Sequence, residues 1–277
     1  MRKLILIIAI LFVVPAFASA PFKADRGLVE ITVTLNNYAT GRFGIDTGAD
    51  QLYIDRDFAV ANNLVESTGP SRTRVAGLDG TAAARSLKLR SLEFGGERLL
   101  NVDAMVIDIN ALSHGHDDDH PDGLIGYEIL ERTYLTIDFP NRELEARFDR
   151  PDIVKSASAR HVPFRLKNHL ILVDVTFPDG VVRPMMLDYG SSATWVSPKV
   201  ARTLGLDADT LGDFQELESL SIGGVITTTP VLVGVRSFAA YQRVLGGIRF
   251  DGIIGASFLY CHKITISYRQ NEIFVEP

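Results

Sequence analysis

Phe43-Gly44-Ile45-Asp46-Thr47-Gly48-Ala49-Asp50 carries a carboxylate out of an apolar run and follows it at once with a small hydroxyl residue and a glycine. Such a stretch reads as a strand ending in a tight turn with one acid at its tip. The glycine lets the backbone turn sharply and brings N–H groups close to the carboxylate. One Asp-Thr-Gly is equally an ordinary Asx turn. The second copy decides the matter, because Met186-Leu187-Asp188-Tyr189-Gly190-Ser191-Ser192 repeats the pattern.

The surroundings repeat with it. Leu28 to Leu35 alternates apolar and polar residues, the period of a half-buried strand, and lies as far before Asp46 as Leu170 to Phe177 lies before Asp188. Leu64 and Leu206 each fall 18 residues past their aspartate, at the ends of two similar short helices, with Asp55 the expected N-cap of the first. Phe94-Gly95-Gly96 matches Ile222-Gly223-Gly224, a hairpin with Gly-Gly at its turn. Asp122-Gly-Leu-Ile-Gly126 matches Asp251-Gly-Ile-Ile-Gly255, and Leu135-Thr-Ile-Asp-Phe139 matches Ile264-Thr-Ile-Ser-Tyr268. Five correspondences in one order describe a duplicated all-β unit with one Asp-x-Gly turn per copy. The copies differ at one place. From Asp46 to Gly95 is 49 residues and from Asp188 to Gly223 only 35, and the difference falls on a glycine-tipped hairpin around Gly77, Leu78, Asp79 and Gly80.

Bulk properties narrow the class. With 277 residues, 46% apolar and 22% charged, the chain is globular and long enough for two lobes. Arg2 and Lys3 before the apolar run Leu4 to Val14, with Ala18-Ser19-Ala20 after it, form a secretory signal peptide expected to be cut after Ala20. The run is short for a membrane span, and nothing later is longer. Without Arg2 and Lys3, 26 basic residues face 34 acidic ones, a net charge of −8 that argues against nucleic acid or an anionic membrane as partner. The single cysteine, Cys261, has no partner for a disulfide, so an exported chain must rely on its core.

On Asp46-Thr47-Gly48-Ala49, Gly123-Leu124-Ile125-Gly126 and their second copies, the chain resembles the aspartic proteases, in particular the bacterial retropepsin-like aspartyl proteases. The resemblance covers residues 28–277. It implies an all-β, two-lobed acid protease fold with the active site between the lobes: signal peptide 1–20, N-terminal lobe with flap 21–150, linker 151–163 and C-terminal lobe 164–277. It implies that the two turns meet at a pseudo-twofold axis, so that Asp46 and Asp188 share a proton, because two like charges that close cannot both ionise easily. Activity would then be aspartic endopeptidase hydrolysis, one carboxylate activating a water while the other protonates the scissile carbonyl. Thr47, Gly48, Tyr189, Gly190 and Ser191 would support the turns, and the hairpin Gly77, Leu78, Asp79, Gly80 would be a flap over an extended peptide or protein substrate. No cofactor or metal is implied. One chain carries both turns, so a monomer suffices, and the leader implies a periplasmic or extracellular product.

Tyr189 departs from the family, which has Thr or Ser after each aspartate to hydrogen-bond across to the opposite turn. Thr47 can do this; a phenol cannot occupy the same small space, and Ser191 is expected to compensate with a hydroxyl near Asp188. The departure keeps a second reading open, a catalytically silent relative that binds extended peptides. A third is a highly selective processing enzyme. Other constellations are weaker. His114, His116 and His120 with Asp117 to Asp119 match no fixed ligand spacing and read as a solvated loop. Ser191-Ser192 and His262 lack anything to fix a base beside a nucleophile, and the glycine-rich turns lack the Lys-Ser/Thr of a phosphate loop.

Overall fold

Ile31, Val33 and Leu35 are buried while Glu30, Thr32 and Thr34 between them are not, so the strand Glu30–Leu35 follows its alternation. Asn36 and Asn37 take positive φ, which asparagine tolerates, and return the chain antiparallel through Ala39–Ile45 into Asp46. In the computed structural model the described residues are 19–24, 27–65, 73–78, 80–112, 120–149, 151–210, 212–260 and 262–276. The apolar leader, Asp79, His114, His116, Asp117 to Asp119 and Cys261 lie outside them.

Each copy packs its aspartate strand inside the same three-stranded core. Gly123–Ile125 runs parallel to Ala39–Ile45 and antiparallel to Leu52–Asp55. In the second copy Gly252–Gly255 runs parallel to Val182–Asp188 and antiparallel to Thr194–Val196. Gly123 is required here by space: a Cβ on it would come within 2.1 Å of the Phe43 ring. Asp55 caps the helix Arg56–Ala61 by accepting from the amides of Asp57 and Phe58, and Ser197 does the same for Pro198–Thr203 through Val200.

The halves join by strand pairing. Tyr134–Asp138 lies antiparallel to Lys263–Ser267 with Thr136 opposite Thr265, Leu135 opposite Ile266 and Ile137 opposite Ile264. Thr136 and Thr265 are corresponding residues of the two copies, and Leu135 and Ile137 each face the counterpart of the other, so the local twofold axis passes between Thr136 and Thr265. Their hydroxyls are buried and hydrogen-bonded at 2.7 Å. A 13-stranded sheet thus runs continuously from Arg160–Pro163 through this pair to the hairpin strand Thr73–Ala76, and a nine-stranded sheet completes the second half. The apolar core also crosses the boundary, uniting Ile45, Ile137, Leu187, Ile254 and Ile266.

Two short elements lie within the segment 151–163. Asp152–Lys155 makes a helical turn, and Arg160–Pro163 is an edge strand on Glu272–Val275, a place where a terminal proline costs no ladder bond. Ala20–Lys23 pairs with Glu143–Arg147 and Glu30–Leu35 in the corresponding way. Among the described residues no helix is long and apolar enough to cross a membrane.

Replacing Thr136 with Val strands the buried Thr265 hydroxyl and is expected to cost about 1–3 kcal/mol of stability. The double variant Thr136→Val/Thr265→Val should recover most of it. Chemical denaturation of the three proteins reads the difference, and equal losses in single and double variants would show that the hydroxyl pair is not the term that matters.

Candidate active site

Both aspartates end their strands at the boundary between the halves. The Asp46 carboxylate accepts from the amides of Gly48 at 2.9 Å and Ala49 at 3.0 Å, and Asp188 accepts from Gly190 at 2.8 Å. The turns interlock. A Cβ on Gly48 would sit 2.8 and 2.9 Å from the two Asp188 carboxyl oxygens, and one on Gly190 would sit 2.5 Å from the Asp46 carboxyl carbon. Each carboxyl therefore rests on the other turn's glycine, and the two acids are close enough to shift each other's ionisation. Neither glycine has positive φ. These positions are glycine not for backbone freedom but because the opposite carboxyl occupies the space of a side chain.

The segments expected to brace the turns lie against them symmetrically. A Cβ on Gly126 would meet the carbonyl oxygens of Gln51 at 2.3 Å and Ala49 at 2.7 Å, and one on Gly255 those of Ala193 at 2.3 Å and Ser191 at 2.7 Å. The next amides bond to the turns, Tyr127 to the Ala49 carbonyl and Ala256 to the Ser191 carbonyl, both at 2.9 Å.

Thr47 is fully buried, and its hydroxyl donates to the Leu187 carbonyl and accepts from the Tyr189 amide, each at 3.0 Å. The mirror-image brace is missing. Tyr189 is also fully buried, but its ring stacks on Phe139 at 6.2 Å and 13° and its hydroxyl has no hydrogen-bond partner. The phenol has gone down into the core rather than between the aspartates. Ser191 does not compensate as expected: its hydroxyl donates to the Ala193 carbonyl at 2.8 Å instead of approaching Asp188. The second turn is closed locally where the first is closed across the boundary.

Burial raises the pKa of both aspartates. Asp188 is raised well above the usual range, first by burial and then by the charge of Asp46. For Asp46 the rise is opposed by the Gly48 and Ala49 amides, by the hydrogen bond from Asp188 and by the field of His169. Both shifts favour the protonated carboxyl, more strongly at Asp188 than at Asp46.

At the hairpin, the Gly77 amide donates to the Gly80 carbonyl at 2.9 Å, joining Thr73–Ala76 to Thr81–Phe94. Leu78 reaches the second half, where it packs against the apolar cluster that includes Leu170, Met186, Phe238 and Phe250, as Tyr241 also does. Three features near the pair have no local signal in the sequence. Tyr241 comes from the helix Ala239–Val244, and its phenol is held neutral by burial and by the fields of Asp188, Asp46 and Asp50. The Tyr53 hydroxyl donates to Asp50. His169 reaches the Gly48 carbonyl from 121 residues away. Of the proposed loop cluster only His120 is described, and its Nδ1 lies 2.9 Å from the Pro121 carbonyl.

Residues 31–129 match the model of a family described as aspartyl protease. No curated protein matches the chain. Among solved structures the chain is similar to the crystal structure of aspartic proteinase from Irpex lacteus, at 13% identity and a TM-score of 0.61, covering 94% of this chain and 96% of that one. The likeness at that identity concerns the fold, a two-lobed all-β architecture extending over nearly the whole length.

Two stability measurements test this geometry without any assay of activity. Tyr189→Phe removes a hydroxyl that bonds to nothing and should change stability by less than about 1 kcal/mol, whereas Tyr189→Thr empties a packed ring site and should cost about 3–5 kcal/mol. A raised folded-state pKa for Asp188 means that its contribution is fully present below the unfolded carboxyl pKa and is lost as pH rises through the folded one. Asp188→Asn should therefore raise the unfolding temperature at neutral pH and not in acid. A lowered temperature at neutral pH would contradict the shared-proton pair.

Proposed function

We propose that the chain, which belongs to the aspartic protease family, hydrolyses peptide bonds in extended polypeptide segments with a water activated between Asp46 and Asp188. The observation that carries the reading is the pair of carboxyls, each seated on the other turn's glycine and each raised by burial. Ionised Asp46 takes a proton from the water as the water oxygen bonds to the scissile carbon, and Asp188 gives its proton to the carbonyl oxygen. The product of this step is a tetrahedral diol. In its collapse Asp46 passes its proton to the amide nitrogen, Asp188 recovers one from a diol hydroxyl, and the C–N bond breaks. The pair ends with the single proton it began with, and no covalent intermediate is needed.

The flap supports the same reading. Leu78 packed against the second half carries the hairpin across to the other half, as a flap that excludes bulk water and strengthens the carboxyls' electrostatics requires. A silent peptide binder would have been favoured by a Tyr189 ring lying between the carboxyls. Its stack on Phe139 favours the catalytic reading instead. Action as a monomer and export by way of the leader belong to the same proposal.

The test is cleavage of a mixed peptide library across acid to neutral pH by the mature protein, Asp46→Asn and Asp188→Asn. Cleavage should fall by at least about 100-fold in both variants, a loss in the range of general acid–base contributions. The parent's rate should fall in acid as Asp46 takes a second proton and at higher pH as Asp188 loses the shared one. Since both carboxyls are raised, that window lies above the ordinary carboxyl range. Folded parent protein that cuts nothing at any pH would sink the reading.

A further inference from the structure

His169 occupies a tight two-residue turn between Arg165–Lys167 and Leu170–Thr176, with Lys167 opposite Leu170 and Asn168 at φ +56°. Its Nε2 lies 3.1 Å from the Gly48 carbonyl oxygen. A carbonyl only accepts, so Nε2 carries the hydrogen. The peptide unit that receives this bond joins Gly48 to Ala49, and its other end, the Ala49 amide, donates to the Asp46 carboxylate at 3.0 Å. Imidazole, peptide and carboxylate therefore form one chain of hydrogen bonds, in which each bond polarises the next.

The device exists on one side only. The position 19 residues before Asp188 is His169, and the position 19 residues before Asp46 is Gly27, which has no side chain to offer. A Cβ there would come within 2.3 Å of the Ser192 side chain. The first turn thus receives a donor from the opposite half, and the second turn receives backbone packing in its place. The acids that His169 faces through this chain are Asp46 and, across the Gly48 contact, Asp188.

We infer that His169 is a positioning residue for the dyad, acting from the second half through the Gly48–Ala49 peptide unit to hold the Ala49 amide on the Asp46 carboxylate and so favour its ionised form. The inference rests on the peptidase reading for its kinetic consequence but not for its geometry. It gives a duplicated site, whose two turns are alike in sequence, a fixed division into base and acid.

The experiment compares the parent with His169→Leu, which removes the donor, and His169→Gln, which keeps an N–H donor on an uncharged side chain of similar reach. With a peptide that the parent cleaves, His169→Leu should lower kcat about 10-fold with KM within about 2-fold, and move the acid limb of the rate profile to higher pH. His169→Gln should return kcat to within about 3-fold of the parent. Carbon-13 titration of the Asp46 carboxyl should show a higher apparent pKa in His169→Leu than in the parent. Parent kcat and an unmoved Asp46 titration in His169→Leu would overturn the inference, as would a loss that His169→Gln does not rescue. If Asp46→Asn still cuts, or the parent never does, the peptidase reading fails, and the carboxyl titration alone decides the role of His169.

Discussion

Two carboxyls buried against each other require a proton between them, and most of this architecture serves that requirement. Burial alone would make each acid neutral, while mutual repulsion would force the pair apart once both had ionised. The molecule avoids both outcomes by placing each acid on a glycine of the opposite turn and aiming backbone amides at the carboxyls. The strands, the bracing glycines and the threonine pair at the axis are held to tolerances set by this contact. A misplacement of one turn by an ångström would bring carboxyl and backbone into collision.

The duplication is symmetric in backbone and asymmetric in chemistry. Corresponding strands pair in corresponding registers, and Gly126 and Gly255 meet the same two carbonyls of their turns. The side chains do not follow. Thr47 ties the first turn to the second, while Tyr189 gives its volume to the core and leaves its hydroxyl unpaired. Such an unpaired phenol is a cost accepted in exchange for a large buried ring. The asymmetry suits a reaction in which one acid must begin charged and the other must not.

Much of this was legible in the sequence because a duplication presents each feature twice. The strand alternation around Ile31, the Asp55 cap, the Gly-Gly hairpins and the position of Asp46 and Asp188 at turn tips all follow local rules that one chain displays twice. What escaped is of another kind. Arg160–Pro163 carries a proline and too short an alternation to announce a strand, and it becomes one only because Glu272–Val275 offers it an edge. The reason for Gly48 and Gly190 was misread as backbone freedom, since the atoms that exclude a side chain come from the other half. Ser191 had two acceptors within reach, and only the folded turn chose Ala193. His169 and Tyr241 are ordinary residues in ordinary stretches, and their relation to the aspartates exists only in three dimensions.

The pairing of Tyr134–Asp138 with Lys263–Ser267 also bears on how the molecule comes into being. The first turn can form within its own half, but its partner, the strand that joins the halves and the strand Glu272–Val275 that flanks it all belong to the later part of the chain. Closing such distant contacts is slow relative to forming local hairpins. A nascent chain therefore carries two turns that are not yet joined across the boundary until nearly its last strand has emerged. The closed meeting of the two turns is in this sense the final product of folding, and a chain cut short before Lys263 would lack the strand that joins its halves.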